Sequence, residues 1–390
     1  MNTRPLRIGI RSPRWATQND QMINGIVHFL REHQLSWIID ADIDTGNELP
    51  PNRIDASWSG DGLIVFRCDA REAAAWKQNG ISVVNISSET RIDGIPNILP
   101  DNYQMGRLAA DYLLSLGLRR FAYAGEKARR YSELRAAGFI DTLQHHGLEC
   151  IEIDLEISSM LKSEKWTRLH HELTTALSEL PHPVGVLARD DIVAMNVLRS
   201  ARALGIKVPD DLALIGINDS RPYCLIAHPQ LSSVKHPGEL IGYHAAKALH
   251  ALLNGNTVPP DQLIPSPGIV ERESTNIIAI QDPLVSRALS HIRAYAKSGP
   301  INVKDLSREL GVSNTTLRSR FKQCIGHTPK EEIDSIRHQE IKNLLQETSL
   351  NIQEIAYQLG FATPEELSRF FARKEGVPPS QFKQNAHRHI

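Results

Sequence analysis

Planar polar side chains follow several short apolar runs of the sequence, and their chemistry suits a ligand that is rich in hydroxyl groups. Carboxylates accept hydrogen bonds, guanidinium groups donate them in pairs, and amides do both. A sugar hydroxyl also donates and accepts, so a cluster of these groups could bind a sugar ring. The same groups could serve catalysis, but the sequence shows no paired base and nucleophile. The groups are Asp101-Asn102, Arg135 in the motif Arg-x-x-Gly-Phe, Asp190-Asp191 and Asn218-Asp219.

Parallel strands and flanking helices are predicted to position these groups. Between residues 6 and 276, short apolar runs alternate with amphipathic segments. The runs lack the alternation of a half-exposed strand, which indicates strands buried on both faces and a parallel sheet between helices. Ligands of such sheets bind at the carboxyl ends of the strands. The predicted strands are 7–10, 63–66, 82–86, 120–124, 184–187 and 212–217, and the predicted helices are 18–32, 104–115, 133–145, 164–180, 194–204 and 239–253.

A pattern of two short helices joined by a tight turn occurs twice between Val303 and Pro379. In each copy apolar residues mark one helix face, a Gly ends the helix, and Ser313 or Thr363 caps the next helix. The repeat predicts two helix-turn-helix units, whose second helices enter the major groove of DNA. A helical bundle without a nucleic-acid role is the alternative, but two matched copies favour DNA. Matching positions are Leu306 and Ile355, Gly311 and Gly360, Leu317 and Leu367, and Phe321 and Phe371.

The composition of the 390-residue chain predicts two or three ordinary domains, with 41% hydrophobic and 23% charged residues. The net charge of −1 hides an asymmetry, because 16 Lys and Arg face 12 Asp and Glu from residue 281 onward. The four cysteines are scattered without a CxxC pair, and no apolar run is long enough to span a bilayer. We therefore expect a cytoplasmic protein with no membrane partner.

Enzyme signatures are absent from the sequence. Neither GxGxxG after the first strand nor GxxxxGK[ST] occurs, so no phosphate-binding loop is predicted. The motifs HExxH and GxSxG are also missing. We expect no catalytic residue, no metal site, no cofactor and no enzyme activity. A sugar-binding transport receptor could share the predicted parallel sheets, but it would have no use for the repeated helix pairs.

The two parts of the chain resemble two known families. Residues 205–234, with the stretches GIKVPDD, IGINDS and PQLSSV, resemble the ligand-binding domain of the LacI/GalR repressors and their periplasmic sugar-binding relatives. That resemblance covers nearly all of residues 6–276. The segment 352–361, of the form Ile-x-Glu-Ile-Ala-x-x-x-Gly-Phe, resembles the double helix-turn-helix of the AraC family. A LacI-like sensor followed by an AraC-like DNA-binding part resembles xylose-responsive regulators, which implies D-xylose as the effector.

The LacI-like resemblance implies which residues line a sugar cleft. Arg135, Asp191 and Asn218 occupy cleft positions, and Asp101 is a fourth candidate. Trp15 follows the first strand and is a candidate stacking platform for the sugar ring. Family members often carry Asp where Asn218 stands, so the identity of the sugar stays open. An exposed ion-pair role for Arg135 and a core or lobe-surface position for Trp15 are the alternatives.

The AraC-like resemblance implies which side chains face DNA. On the first recognition helix, about 314–322, Arg318 could bind a guanine in a bidentate pair. The second, about 364–374, carries Glu365-Glu366 where the family commonly has uncharged residues, so we expect the first helix to carry more of the specificity. The predicted DNA-binding residues are Asn314, Thr315, Arg318, Ser319, Arg320, Glu365, Arg369 and Arg373.

The predicted architecture is an α/β, two-lobed periplasmic-binding-protein-like sensor followed by an all-α double helix-turn-helix domain. The expected boundaries are 1–276 for the sensor, 277–286 for a linker and 287–390 for the DNA-binding domain. The expected partners are double-stranded promoter DNA, a monosaccharide effector, a second copy of the chain in a homodimer, and RNA polymerase if the protein activates transcription. Two DNA-binding units in one chain predict asymmetric DNA sites.

Overall fold

The computed structural model describes residues 4–12, 18–43, 58–66, 69–87, 89, 91–157, 165–276, 282–296, 299–347 and 350–388. The chain divides into two compact units, Met1–Ile277 and Ile278–Ile390, which we call the N-terminal and the C-terminal unit. Each unit has hydrophobic cores of its own. Among the described residues, no helix combines the length and apolar character needed to cross a bilayer.

The first lobe of the N-terminal unit is built on a parallel sheet. Its strands are β1 (Arg7–Ser12), β2 (Ile38–Ile43), β3 (Gly62–Val65), β4 (Ser82–Asn85), β5 (Asn97–Pro100) and β11 (Asp261–Ile264). They pair in the order β11-β5-β4-β3-β1-β2, and every neighbouring pair is parallel. Helices α1 (Asn19–Glu32) and α8 (Gly238–Leu253) cover one face, and α2 (Ala70–Gln78) covers the other.

Alternate residues of β3 show why this sheet is covered on both faces. Ile64 packs with the apolar side chains of α1 and α8, whereas Leu63 and Val65 pack with Trp76 of α2. Successive strand residues point to opposite faces, so a continuous apolar run can fill two cores. An uninterrupted apolar run in the sequence therefore indicates a strand that is covered on both faces of the sheet.

The second lobe repeats this plan. Its strands are β6 (Phe121–Gly125), β7 (Cys150–Asp154), β8 (Val184–Ala188), β9 (Leu212–Asn218), β10 (Ser232–Lys235) and β12 (Ile269–Val270), and its helices are α3 (Asn102–Ser115), α4 (Arg130–His145), α5 (Lys165–Ser178), α6 (Asp191–Ala203) and α7 (Arg221–Ile226). The order is β12-β10-β9-β8-β6-β7, and only β12 is antiparallel to its neighbour. The chain passes between the two sheets after β5, after β10 and after β11.

Glycines allow two helix pairs of the N-terminal unit to pack backbone against backbone. A Cβ at Gly138 of α4 would lie 2.0 Å from the Tyr103 carbonyl oxygen of α3, and one at Gly106 of α3 would lie 2.0 Å from the Arg135 carbonyl oxygen. In the same way, a Cβ at Gly25 of α1 would lie 1.9 Å from the Glu239 carbonyl oxygen of α8, and one at Gly242 of α8 would lie 1.9 Å from the Met22 carbonyl oxygen of α1. The α3–α4 contact fixes where Arg135 lies relative to the sheet.

The C-terminal unit is helical in the part that the structure describes. Its helices are α9 (Pro283–Tyr295), α10 (Val303–Glu309), α11 (Asn314–Ile325), α12 (Pro329–Glu347), α13 (Ile352–Gln358), α14 (Pro364–Glu375) and α15 (Pro379–Arg388). Ser313 caps α11 and Thr363 caps α14, and each side chain accepts a hydrogen bond from the amide of the third residue after it. Leu317 and Phe321 lie in one core, and Leu367 and Phe371 lie in a second.

The predicted fold class is confirmed, since two parallel-sheet lobes precede a helical part with two helix-turn-helix units. Each strand and helix predicted above is present, with ends that move by a few residues. Shorter or more exposed elements were not predicted from the sequence. Residues 150–154 form an edge strand with mostly exposed side chains, and 97–100 form a buried strand that ends in Pro100, so neither gives a long apolar run. The other missed elements are β2, β10, β11, β12, α2, α7, α9 and α15.

Candidate ligand site and nucleic-acid interface

The carboxyl ends of four neighbouring strands bring polar side chains together in the second lobe. The order β10-β9-β8-β6 places the residues that follow these strands side by side, and α4 runs past them. We call this group the strand-end cluster. Its members are Glu126, Tyr131, Arg135, Arg189, Asp190, Asn218 and His236.

Arg135 is central to the strand-end cluster and is only 3% exposed. Its Nε donates to Oδ1 of Asn102 at 2.9 Å, one terminal nitrogen donates to the Arg189 carbonyl, and the other donates to Oδ1 of Asn218 at 3.3 Å. The guanidinium carbon lies 5.1 Å from the centre of the Tyr131 ring. Burial lowers the pKa of Arg135. The structure therefore brings together two of the predicted cleft residues.

Arg189 carries the second guanidinium of the cluster and is paired with two acids. It contacts Oε2 of Glu126 at 2.5 Å and Oδ2 of Asp190 at 3.1 Å. Burial opposes its charge, but Asp190 and Glu126 raise the pKa of Arg189 above its ordinary value. The positive charge of Arg189 is thus matched within the cluster.

Asp191 lies beneath the cluster and is fully buried. Its Oδ2 accepts a hydrogen bond from the Ser220 amide at 2.7 Å, and its Oδ1 accepts one from Oγ of Ser233 at 2.6 Å. Burial raises the pKa of Asp191 to about 7, although the two hydrogen bonds oppose that shift. Both oxygens therefore hold the turn after β9, where φ is 118° at Asn218 and 49° at Asp219. Its neighbour Asp190, and not Asp191, belongs to the cluster and contacts Arg189.

Asp101, another predicted cleft residue, lies outside the strand-end cluster. Asp101 caps α3, and its Oδ1 accepts a hydrogen bond from the Gln104 amide at 2.9 Å. The next residue, Asn102, is the one that reaches Arg135. Trp15 lies outside the described residues.

An ion pair between the lobes shows that the strand ends of both sheets converge. Glu89 follows β4 of the first lobe, and its Oε1 is 2.8 Å from Nη1 of Arg129, which follows β6 of the second lobe. Arg129 also lies 3.8 Å from Oε2 of Glu126 in the strand-end cluster. The cluster therefore lies beside the junction of the two lobes. No group of three or more potential metal ligands occurs within the described ranges.

The two recognition helices of the C-terminal unit expose the side chains that the sequence analysis assigned to DNA. On α11, Leu317 and Phe321 are buried, whereas Leu367 and Phe371 are buried on α14. The opposite faces are open to solvent. The exposed predicted residues are Asn314, Thr315, Arg318, Ser319 and Arg320 on α11 and Glu365, Arg369 and Arg373 on α14.

Comparisons with known proteins match both units. Residues 110–275 match the family described as periplasmic binding protein-like domain, and residues 306–385 match the family described as helix-turn-helix domain. The xylose operon regulatory protein of Escherichia coli K12 is 27% identical over 372 residues, which cover 93% of each chain. The protein of that name from Haemophilus influenzae is 27% identical over 381 residues, covering 94% of this chain and 95% of the relative.

The solved structure of the xylose-binding transcription activator xylR matches 99% of both chains, with 25% sequence identity and a TM-score of 0.64. The similarity thus runs through both units in the same order. The chain is a transcription regulator with a periplasmic-binding-protein-like domain and a helix-turn-helix domain. These matches bear out the prediction of a transcription regulator and not an enzyme.

Arg320 of the regulator differs from the other exposed residues of α11. Its Nε donates to Oδ2 of Asp282 at 2.6 Å, and Asp282 caps α9. Its guanidinium is therefore held within the C-terminal unit. On α14, Oε2 of Glu366 accepts a hydrogen bond from the Ala362 amide at 3.0 Å, so this acid closes the turn of the second helix pair.

Helix α12 of the regulator is tied to the second helix pair by a buried arginine. The Arg337 guanidinium lies 4.0 Å from the centre of the Phe361 ring and donates to the Leu359 carbonyl at 2.8 Å. Lys342 of the same helix pairs with Glu375 at the end of α14 at 2.9 Å. These contacts hold the second recognition helix against α12.

Several residues of the strand-end cluster, and Asn102 beside it, were not identified from the sequence. Glu126 and Arg189 immediately follow buried strands, and Asn218 is the last residue of one, so position at a strand end is a signal that could have identified Glu126 and Arg189. Asn102 and Tyr131 lie on helices and give no such signal. Their roles depend on the packing of α3 against α4.

Proposed function

We propose that the N-terminal unit binds a monosaccharide and that this binding controls how the C-terminal unit binds promoter DNA. The contact between Arg135 and Asn218 carries the proposal, because it sets a guanidinium and an amide side by side at the strand ends of a periplasmic-binding-protein-like fold. Such groups bind sugar hydroxyls by paired hydrogen bonds. The same chain carries two exposed recognition helices, so ligand and DNA are bound by one molecule.

D-xylose is the first effector to test. The relatives that match along nearly the whole chain are named for the xylose operon, and the similar solved structure is described as xylose-binding. Arg135, Asn218 and Asp190 are the proposed hydrogen-bonding residues. Asp101, Asp191 and Trp15 stay predictions from the resemblance.

Asymmetric promoter sites and a dimer complete the proposal. The two helix pairs of one chain would occupy successive major grooves about 34 Å apart, without needing the symmetry of a dimer. We propose that the N-terminal unit supplies dimerisation and that the regulator activates transcription by assisting RNA polymerase. Support for activation comes from the similar solved structure, which is that of a transcription activator. The place of action would be the cytoplasm, where bacterial promoter DNA is found.

The proposed coupling begins with closure of the two lobes around the sugar. The Glu89–Arg129 ion pair already bridges the lobes beside the strand-end cluster, so a ligand there would contact both. A ligand shifts an equilibrium between two states only by the difference of its affinities for them, which is typically worth about 1–3 kcal/mol. We therefore expect promoter affinity to change by about five- to 150-fold when the sugar is added.

The test has two stages on the purified full-length chain. A thermal-shift panel of D-xylose, L-arabinose, D-ribose, D-glucose and D-galactose identifies which sugar stabilises the protein, since a ligand at 100 times its Kd adds about 2.7 kcal/mol. The affinity of the protein for the promoter DNA next to its own gene is then measured with and without that sugar at fixed salt. Equal affinities would refute the coupling, and the same measurement on random DNA is the control.

A further inference from the structure

We infer that Glu89 and Arg129 form a latch between the two lobes and that Arg129 is a positioning residue for the ligand-binding groups. The inference rests on the proposed function, because the latch would hold the first lobe over a sugar in the strand-end cluster. A row of charged side chains supports it. The charges of this row alternate in sign from the first lobe into the cluster.

The row begins with the ion pair between the lobes and ends at a proposed ligand contact. Oε1 of Glu89 is 2.8 Å from Nη1 of Arg129, and Nε of Arg129 is 3.8 Å from Oε2 of Glu126. The same Glu126 oxygen is 2.5 Å from Nη1 of Arg189, whose Nε is 3.1 Å from Oδ2 of Asp190. Asp190 is one of the proposed hydrogen-bonding residues for the sugar. The row therefore connects the first lobe to the ligand site without a gap in charge pairing.

The inner part of the row is buried, and the outer part is partly open to solvent. The side chains of Glu126 and Arg189 are 3% and 11% exposed, whereas those of Glu89 and Arg129 are 24% and 34% exposed. An ion pair that water can reach is weak, while breaking a buried pair leaves an uncompensated charge and costs more. The Glu89–Arg129 pair is therefore the contact of the row that opens most readily when the lobes separate.

Arg129 also lies at the start of α4, the helix that carries Tyr131 and Arg135. It is the N-cap residue of this helix, and its backbone amide donates to the Glu126 carbonyl at 3.3 Å. Arg135 extends from the same helix to its contacts in the strand-end cluster. A shift of Arg129 would therefore reach the ligand-binding groups both through the row of charges and through the backbone of α4. It would act through these residues and not by touching the sugar.

The three places where the chain crosses between the lobes are hydrogen-bonded to one another. The Ser266 amide donates to Oε1 of Gln104 at 3.0 Å, and Oγ of Ser266 donates to the Lys235 carbonyl at 2.7 Å. The Asp101 amide donates to the Ile264 carbonyl at 2.9 Å. The crossings thus form one connected hinge about which the lobes can rotate. Both residues of the latch lie outside these crossings, so rotation of the lobes would form or break their ion pair.

The latch should affect the binding of a sugar that touches neither of its residues. The apparent affinity of a ligand depends on the fraction of protein in the state that binds it. Removing either charge of the latch lowers the fraction with closed lobes and should weaken binding. Salt screens a partly exposed ion pair, so the affinity for an uncharged sugar should also fall as the salt concentration rises.

Calorimetry on the full-length regulator tests the latch with D-xylose, or with the sugar of the thermal-shift panel that stabilises the protein. The variants are Glu89→Gln, Arg129→Gln and the double variant. Each single variant should bind the sugar about two- to fivefold more weakly, the range of a partly exposed ion pair. The double variant should bind at most about twofold more weakly than the weaker single variant, because both changes break the same pair. Fully additive losses would overturn the latch.

Two neighbouring residues of α4 give matched controls. Glu133 and Arg130 are exposed in the first turn of the helix, close to Arg129 in the sequence. The variants Glu133→Gln and Arg130→Gln each remove one charge of the same kind without breaking the row, and they should leave sugar binding unchanged. Losses in these controls as large as those in the latch variants would also refute the inference. Circular dichroism checks that every variant folds.

The salt dependence of sugar binding separates a latch from a general structural loss. Between about 0.05 and 1 M NaCl, the affinity of the unaltered protein should fall about twofold or more and approach that of Glu89→Gln, whose affinity should stay constant. A merely structural defect would lower the affinity of the variant by the same factor at every salt concentration. Equal affinities of the unaltered protein and both single variants refute the latch and leave the proposed function intact. No binding of any sugar by the folded, unaltered protein refutes both.

Discussion

Arg320 of recognition helix α11 donates from Nε to Oδ2 of Asp282 at 2.6 Å, and Oδ1 of the same carboxylate caps α9 by accepting from the Leu284 and Val285 amides. Burial alone would raise the pKa of Asp282, but the Val285 amide and the Arg320 guanidinium outweigh it and lower the pKa. One carboxylate thus joins the first helix of the C-terminal unit to a recognition helix, and it neutralises a cation that was predicted to face DNA.

The variant Asp282→Asn should strengthen DNA binding. Asn keeps an oxygen that can cap α9 but removes the charge that neutralises Arg320. We expect affinity for promoter and random DNA to rise about two- to fivefold, the range of an exposed charge interaction. The slope of log affinity against log salt should steepen by up to about 0.9, one additional phosphate contact. The control is Asp334→Asn, which removes an acid paired with Lys330 on α12. If Asp282→Asn bound DNA more weakly than the control Asp334→Asn, the role of Asp282 in neutralising Arg320 would be contradicted.

The variant Arg318→Ala should lower affinity for the cognate promoter by about 1–3 kcal/mol and leave affinity for random DNA unchanged. The side chain of Arg318 is exposed on α11, and a bidentate pair with guanine would give sequence information that a phosphate contact does not. Fluorescence anisotropy at several salt concentrations measures both affinities. Arg287→Ala on α9 is the matched control, since it removes another exposed arginine of the same unit. Equal losses of affinity for the cognate promoter and for random DNA would indicate that Arg318 contacts a phosphate and not a base.

The variant Glu365→Gln should raise affinity for DNA of any sequence about two- to fivefold, because an exposed acid on a recognition helix repels phosphates. Glu366 is the wrong residue for this test, since its carboxylate closes the turn through the Ala362 amide. Glu331→Gln on α12 serves as the control for loss of one acid, and Gln can retain its capping role there. A loss of affinity confined to the cognate promoter would show instead that Glu365 contacts a base.

Asp191 should make the stability of the N-terminal unit depend on pH. Its pKa in the folded state is about 7, above the ordinary value of 3.8, because it is buried. The folded state therefore keeps a proton that the unfolded state releases. The contribution of Asp191 to the free energy of unfolding should be largest below about pH 4, fall as the pH rises to about 7, and stay constant above that.

Comparison with Asp191→Asn isolates this group, because Asn can accept from the Ser220 amide and donate to Ser233 without titrating. Urea unfolding from pH 4 to 8 gives the free energy of unfolding of both proteins. The value for the unaltered protein minus that for the variant should decrease across this range up to about pH 7. A difference that is independent of pH would show that Asp191 does not carry the proton.

The variant Gly138→Ala should destabilise the N-terminal unit by about 1–3 kcal/mol, although Ala is the better helix former. Its Cβ would lie 2.0 Å from the Tyr103 carbonyl oxygen, so α3 and α4 would have to separate. Thermal unfolding measures the loss. The exposed position Gln144 on α4 gives the control variant Gln144→Ala, which should change stability by less than about 0.5 kcal/mol. Equal stability of the two variants would mean that the helices separate at no cost.

The sequence by itself determined the features that depend on neighbours along the chain. The two helix-turn-helix units could be predicted because capping residues, apolar spacing and Gly positions act within a few residues. The buried strands β3, β8 and β9 were predicted because an apolar run of that length has few alternatives in an α/β chain. The short strand β12 and the exposed strand β7 were missed, since sheet neighbours distant in sequence hold them in place.

Only the tertiary structure decided which polar groups meet. Arg135 and Asn218 are 83 positions apart and Arg189 and Glu126 are 63 apart, so no local pattern pairs them. Asp190 and Asp191 are identical in side chain and adjacent, yet one meets Arg189 in the cluster and the other is buried beneath a turn. Successive residues at a strand end point in different directions, and the surrounding helices then fix what each one contacts. The charge environment of Arg135 is a property of that packing and not of the sequence around it.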